Sequence, residues 1–278
     1  MKVLLTGGSG LVGTRLAPML ADRHDVTHFE MRDPTDGLPW IDGDLLDPEA
    51  VRAACEGMDA VVHVAAIHGP NWRKLGDHRM FEINVMGTQN VMHAAVDAGV
   101  ERVVFTSSIS AIGHGQGTPA PYLPIDEEIP RGPADLYGQS KALGEQICRF
   151  ATARHGLSTI ILRPGFICDE ECEFPATWRL LSCMVEVRDV ASAHVAALEC
   201  DVIHHGAFLV TASSPLARVE PLRFFADRRG CLEELLPGIG AHIDDGAIDP
   251  RGIDEWYTIE RARKVLSWEP ERNFELPT

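Results

Sequence analysis

A chain of 278 residues, 45% apolar and 24% charged, is long enough for one full α/β core with or without a small appendage. Its net charge of −16, spread along the chain rather than gathered in a tail, argues against a nucleic-acid backbone or a polybasic membrane contact. No apolar run reaches transmembrane length, and "MKVLLTGGSG" breaks into glycines where a signal-peptide core would continue, so a cytoplasmic protein with no membrane or nucleic-acid partner is expected.

Short apolar, β-branched runs bounded by turn residues stand at 2–6, 25–30, 60–66, 102–108 and 158–164, and helical patterns fill 11–22, 48–56, 78–98 and 136–155 between them. Strands this apolar, alternating with helices, predict a doubly wound parallel sheet, a Rossmann-type α/β fold, over residues 1–165. Beyond Pro164 the alternation weakens. The segment 185–200 reads as a strand running into a helix with Asp189 in its first turn. Residues 207–211 read as a further strand, and 218–229 and 258–267 as helices, the last capped by Thr258. Residues 166–278 are thus expected to form a small substrate-binding lobe woven onto the first part.

The seven cysteines are scattered and expected to be reduced. Cys168 and Cys172 lack the neighbours a zinc site needs, so no metal is expected. His63 falls inside an apolar strand and reads as a buried, satisfied histidine. His204 and His205 read as solvent-facing. His68, Asn71 and Trp72 follow the third run and suit loop structure as well as substrate contact.

In "TGGSGLVG", Gly7, Gly10 and Gly13 lie between the first strand and the first helix. Glycines there allow a tight turn and close approach of backbone to a pyrophosphate at the helix N-terminus. Glu30 ends the second strand, where a carboxylate accepts ribose hydroxyls and repels a 2′-phosphate. Arg32 could instead take that phosphate, but Asp33 beside it weakens an anion site, so NAD is preferred to NADP. Asp44, followed by Leu45, is either an adenine contact or a turn acid before the helix capped by Asp47.

Three pieces meet at strand carboxyl ends: Ser107, Ser108 and Ser110 after the fourth run, Tyr137 and Lys141 opening the long helix, and "RPGFI" closing the fifth. Removing a proton from an alcohol as hydride leaves its carbon needs a base. A phenol acts near pH 7 only if its pKa falls by about 3 units, roughly 4 kcal/mol. A lysine one turn away is expected to supply positive charge beside the phenol and an oxidised nicotinamide ring to add more, with a serine hydroxyl fixing the substrate oxygen.

In the order "TGGSGLVG", "GDLLD", "HVAA", "NVMGTQN", "VVFTSS", "YGQSK" and "LRPGF", the chain resembles the extended short-chain dehydrogenase/reductase family, its NAD-dependent epimerase/dehydratase group. The resemblance covers residues 1 to about 200 and returns at "TIERARKVLSWEP". It implies an NAD-dependent oxidoreductase with Ser108, Tyr137 and Lys141 as the catalytic set. Gly7, Gly10, Leu11, Val12, Gly13, Glu30, Asp44, Leu45, Ala65, Ala66, Asn84 and Pro164, together with Tyr137 and Lys141, would hold the cofactor. "SSISAIG", "YGQSKALGE" and "WRLLSCMVEVRDVASAHVAAL" are similar to the uronate dehydrogenases, which oxidise a free sugar acid. That likeness implies Ser108, Ser110, Phe166 and Arg179 on the substrate side, Arg179 gripping a carboxylate, although a surface arginine on a short helix is the alternative reading of Arg179. Ile109 and Ser110 stand where that subgroup has asparagine and histidine. The short segment from "RPG" to "VEVRDVA" suits a small sugar, sugar acid or polyol better than a nucleotide sugar. A nucleotide-sugar epimerase or dehydratase with tightly held NAD, and a non-catalytic NAD-binding protein, are the alternatives. The resemblance also implies a homodimer paired through the helices at 78–98 and 136–155.

Overall fold

The computed structural model describes residues 1–113, 120–169 and 176–276. Its strands are β1 (Lys2–Thr6), β2 (Asp25–Glu30), β3 (Trp40–Asp42), β4 (Ala60–His63), β5 (Arg102–Thr106), β6 (Ser158–Pro164), β7 (Phe166–Cys168), β8 (Met184–Glu186) and β9 (His205–Val210). Seven form one wholly parallel sheet in the order β3-β2-β1-β4-β5-β6-β9, and β7 pairs with β8 in a small second sheet. The helices are α1 (Gly13–Ala21), α2 (Pro48–Cys55), α3 (Gly69–Phe81), α4 (Thr88–Asp97), α5 (Leu136–His155), α6 (Val187–Glu199), α7 (Pro221–Ala226), α8 (Arg228–Leu235), α9 (Ile239–Asp244) and α10 (Glu260–Leu266).

The period of two in each strand decides what packs on each face. Val3 and Leu5 of β1 turn toward a core built with Leu16 and Leu20 of α1, Val190 and Ala197 of α6 and Trp268. Leu4 turns the other way, into a core with Val51 and Cys55 of α2, Val91 and Ala95 of α4 and Cys148 of α5. A third core, around Leu216, Phe224, Leu232, Ile253 and Trp256, serves the C-terminal residues. The strand order changes direction between β1 and β4. A sheet of this kind opens its ligand crevice at the carboxyl ends beside that reversal.

Several expectations meet a different local outcome. The strand β3 is missing from the sequence reading because it is three residues long and lies on the sheet edge. The single helix expected at 78–98 is instead α3, broken at Gly76 (φ +82°), then a π-helical turn over Glu82–Gly87, then α4. That wider turn carries Asn84 into the interior. Thr258 does accept from the Glu260 N–H, at 3.4 Å, one residue ahead of the cap position. Asp189 sits in the first turn of α6 as expected, but it is 1% exposed. Its carboxylate accepts from the N–H groups of Glu271 and Arg272 at 3.0 and 2.9 Å, pinning the last turn of chain. His63 is buried between Thr6 and Thr88, at 2.7 and 3.1 Å. His205, expected in solvent, is half-buried on the Thr159 hydroxyl at 2.7 Å. The six described cysteines are buried, and Cys172 lies outside the described residues.

Candidate active site

A cleft of about 1110 Å³ opens along the carboxyl ends of β1, β2, β4, β5 and β6. The chain turns sharply out of β1 into α1. Gly7 has φ +80°, and a Cβ there would stand 2.5 Å from Ala65 N; a Cβ on Gly13 would stand 2.1 Å from Gly7 O. Gly10 N–H donates to Gly7 O at 3.1 Å, closing the turn. The first turn of α1 contains no acidic residue and its cap residue, Val12, makes no side-chain bond, so its N–H groups and dipole are left to the cleft. Glu30 accepts from Ser9 N–H at 3.2 Å, which fixes a carboxylate beside the glycine turn. Arg32, exposed, lines the cleft too. Asp44 takes the turn role: one oxygen accepts from Leu46 N–H at 3.0 Å and the other pairs with Arg79 at 3.4 Å, while the residue still lines the cleft. A tight glycine cradle, an uncompensated helix terminus and an acid at the end of β2 are the donor set a dinucleotide requires, and the residues fit it.

Tyr137 and Lys141 open α5, capped by Asp135, whose carboxylate accepts from Gly138 N–H at 2.6 Å. Gly138 is needed: a Cβ there would lie 2.3 Å from Ser110 O, so only glycine lets the helix start seat against the Ser108 turn. Ser108 accepts from Ser110 N–H at 3.1 Å and its hydroxyl reaches the Tyr137 phenol. Ser107 is directed inward instead, donating to Glu145 at 2.6 Å. Lys141, 3% exposed, donates from Nζ to the Thr106 carbonyl at 2.7 Å, with Nζ 5.1 Å from the Phe105 ring centre and 6.0 Å from that of Tyr137.

Burial acts on both members of the pair. Burial pushes the Tyr137 phenol up to about 12; the Ser108 hydrogen bond opposes this and the Asp135 charge adds to it. Burial likewise brings Lys141 down to about 7. The lysine is itself desolvated, so the expected lowering of the phenol rests on the charge a bound nicotinamide ring would add. From about 12, the phenol must fall by about 5 units to work at pH 7, roughly 7 kcal/mol rather than 4.

Of the sequence-selected residues, Gly7, Gly10, Leu11, Val12, Glu30, Asp44, Leu45, Ala65, Ala66, Ser108, Ser110, Tyr137, Lys141, Pro164 and Phe166 line this one cleft. Three do not. Gly13 sits beneath the glycine turn as a packing position. Asn84 is 3% exposed and clips the cleft wall from behind, accepting from Ile67 N–H at 2.7 Å and donating to Ile67 O at 3.0 Å and Ser140 Oγ at 3.1 Å. Arg179 is an exposed side chain on the 3-10 turn Ala176–Leu181 and is not among the lining residues, so a carboxylate grip by Arg179 has no support from the cleft. The sequence reading passed over Thr106, whose contribution is a backbone carbonyl and carries no side-chain signal. It left His68 and Trp72 undecided; both line the cleft, with rings 6.1 and 6.5 Å from that of Tyr137. Their position just after β4, at the crevice end of the sheet, was the available signal. Among the described residues no cluster of His, Cys, Asp or Glu could hold a metal ion.

Comparison with known proteins agrees with this geometry. The chain is 35% identical over 178 residues to a 3β-hydroxysteroid dehydrogenase/Δ5→4-isomerase of Mycobacterium tuberculosis, a match covering 60% of this chain and 47% of that protein. It is 34% identical over 176 residues to an L-arabinose 1-dehydrogenase (NAD(P)+) of Haloferax volcanii, covering 60% and 67%. The chain thus spans about half the length of the first curated relatives it matches. Among solved structures, a short-chain dehydrogenase/reductase superfamily protein from Agrobacterium tumefaciens with bound NAD superposes with a TM-score of 0.74 at 24% identity, covering 98% of this chain and 93% of that one. A mutated uronate dehydrogenase superposes at 0.71 with 20% identity, covering 98% and 82%. The sequence model of the NAD-dependent epimerase/dehydratase family matches residues 3–168, more than half the chain, and with the parallel sheet, glycine turn and strand-end cleft this protein belongs to that family of NAD-dependent enzymes.

Proposed function

We propose that this protein is an NAD-dependent dehydrogenase that oxidises a hydroxyl of a small sugar, sugar acid or related polyol. The observation that carries the reading is the convergence of Ser108, Tyr137 and Lys141 at one end of the cleft that holds the glycine turn and Glu30 at its other. The cleft volume only slightly exceeds the ordinary range for small-ligand sites, about 300–1,000 Å³, so an extended dinucleotide leaves room for a compact co-substrate. Relatives named as L-arabinose and glucose-6-phosphate dehydrogenases support a sugar.

Bound NAD supplies the hydride acceptor and a cationic ring. Glu30 would hold the adenosine ribose, and the glycine turn with the start of α1 would hold the pyrophosphate. Ser108 would fix the substrate hydroxyl beside Tyr137. Tyr137, as phenolate, would accept that hydroxyl's proton. Lys141, anchored on the Thr106 carbonyl, would stabilise the phenolate when protonated. The lobe beyond residue 165 would close over the substrate, with Phe166 at its entrance, 43% exposed. Met86 and Phe150, 51% and 61% exposed on the α4–α5 side, support a homodimer through that face, and the burial of the six described cysteines suits a reducing cytoplasm. No helix among the described residues is long and apolar enough to cross a membrane.

The test is NAD reduction over a panel of free sugars, uronates and polyols. Tyr137→Phe should lower NADH formation at least 100-fold while NAD still binds. Full activity in that variant refutes the assignment. Turnover without net NADH, with NAD released only on denaturation, would make the protein an epimerase or dehydratase instead.

A further inference from the structure

One turn beyond Lys141 on α5, Glu145 is 1% exposed and its carboxylate accepts from three side chains. Ser107 Oγ donates to Oε1 at 2.6 Å. Arg163 forks onto both oxygens at 2.8 Å, and Arg131 reaches Oε2 at 2.7 Å. Arg163 is 2% exposed and also donates to the Glu127 carbonyl at 3.3 Å. None of these groups enters the chemistry above. A buried ion pair adds little net stability compared with apolar side chains of the same size, so the cluster calls for another account.

Its location provides one. Ser107 lies between Thr106, whose carbonyl anchors Lys141, and Ser108, which reaches the Tyr137 phenol. Tethering Ser107 to α5 holds both neighbours against the helix that carries Tyr137. The charged and titratable groups interacting with Lys141 are Glu145 and Cys148 on its own helix and His63 and His68 from β4 and the loop after it. From its own helix Tyr137 also faces it, and β5 offers the Phe105 ring and the Thr106 carbonyl. Burial keeps the Cys148 thiol and the Tyr137 phenol protonated. Glu145 is therefore the one anion in this set, and Arg163 and Arg131 hold it ionised.

We propose that Glu145, clamped by Arg163, is a positioning residue of the proton-handling site: it fixes the strand end that carries Lys141's anchor and Ser108, and it keeps the Lys141 ammonium protonated. Arg131, in the stretch leading into α5, ties that stretch to the same carboxylate. The inference rests on the reading of Tyr137 and Lys141 given above.

The chain has four lysines (Lys2, Lys74, Lys141 and Lys264), so a 13Cε-lysine NMR titration resolves Lys141 directly, with Lys141→Arg to assign it. Glu145→Gln should move the Lys141 midpoint down by about one pH unit. Arg131→Gln, at a side chain 34% exposed, should move it up. It serves as the deciding variant if Glu145→Gln does not fold. Ser107→Ala keeps the ion pair; it should lower kcat about tenfold or more on the panel compound the wild type oxidises fastest, with little change in KM. Glu145→Gln and Arg131→Gln that lower the melting temperature but leave the Lys141 midpoint in place would make the cluster purely structural and overturn the proposal. So would an unchanged kcat in Ser107→Ala. Full activity in Tyr137→Phe sinks the reading of the site whatever the lysine resonance does, so the two failures are distinguishable.

Discussion

Replacing Lys141 with methionine removes a charge the fold holds at a cost, and the effect on stability should change sign with pH. Burial lowers the ammonium from its ordinary 10.5 to about 7. At about 1.36 kcal/mol per pH unit this is a penalty of about 5 kcal/mol below pH 7, where the lysine is protonated in both the folded and unfolded chain. Between pH 7 and 10.5 the unfolded chain binds the extra proton, so wild-type stability rises with pH across that window and the penalty is gone above it. Methionine has a similar length and no charge, but it leaves the Thr106 carbonyl without the 2.7 Å bond from Nζ, a loss of about 1–3 kcal/mol. Lys141→Met should therefore be more stable than wild type by about 2–4 kcal/mol at pH 6. It should be less stable by about 1–3 kcal/mol above pH 10.5. Urea unfolding of both proteins at pH 6, 8 and 10.5 measures the difference, and at roughly 2 °C per kcal/mol the melting temperature at pH 6 should rise by several degrees. A variant less stable than wild type at pH 6, or a difference that does not vary with pH, would mean that the lysine is well solvated in the fold. The stability cost assigned to Lys141 would then be wrong.

Gly7→Ala combines a φ of +80° with a Cβ 2.5 Å from Ala65 backbone, so it should cost at least ~1–2 kcal/mol of stability and weaken NAD binding at least tenfold by calorimetry. Glu30→Ser removes the carboxylate that Ser9 N–H holds beside the turn; the ratio of NADP to NAD affinity should rise roughly tenfold, and an unchanged ratio would detach Glu30 from cofactor choice. Glu255 is buried on the Tyr257 hydroxyl at 2.9 Å, and burial pushes its carboxyl up to about 7. A raised carboxyl pKa stabilises the fold fully below the unfolded value, and that contribution is lost as pH rises through about 7. Glu255→Gln, which keeps an acceptor for Tyr257, should be about 1–3 kcal/mol more stable than wild type at pH 8 and near wild type at pH 4.5, as read by denaturant unfolding.

The elements legible in the sequence were those bounded by local chemistry. The ends of α5 were readable at both termini because Asp135 caps one and Gly156, at φ +73°, closes the other. The bounds of β1, β2 and β6 followed from apolar runs ending in turn residues. The broken helix at 69–87 was not legible, because its π-turn answers to Asn84 finding Ile67 and Ser140, partners 17 and 56 residues away. Among the three serines, the family resemblance alone singles out Ser108; what sets Ser107 apart is Glu145, 38 residues on, which local spacing does not reveal. Arg179 reads in the sequence either as a carboxylate grip, by likeness to another subgroup, or as a surface arginine; it is exposed on a 3-10 turn and is not among the cleft-lining residues.

Tyr137 and Lys141 show most clearly what spacing leaves out. Four residues apart on a helix, they read as a phenol and the cation that lowers its pKa. Spacing sets proximity, but burial sets the cost of charge, and here burial acts on both groups at once, raising the phenol to about 12 and lowering the amine to about 7. Near neutral pH the phenol therefore stays protonated while the amine sits near its midpoint, and ionising the phenol needs positive charge beside it in a medium where charges interact strongly. If Tyr137 is the base proposed above, it is strong only when a cationic partner is seated in the cleft. On that reading proton removal is tied to occupancy of the cleft, and a substrate hydroxyl that enters alone would meet a neutral phenol.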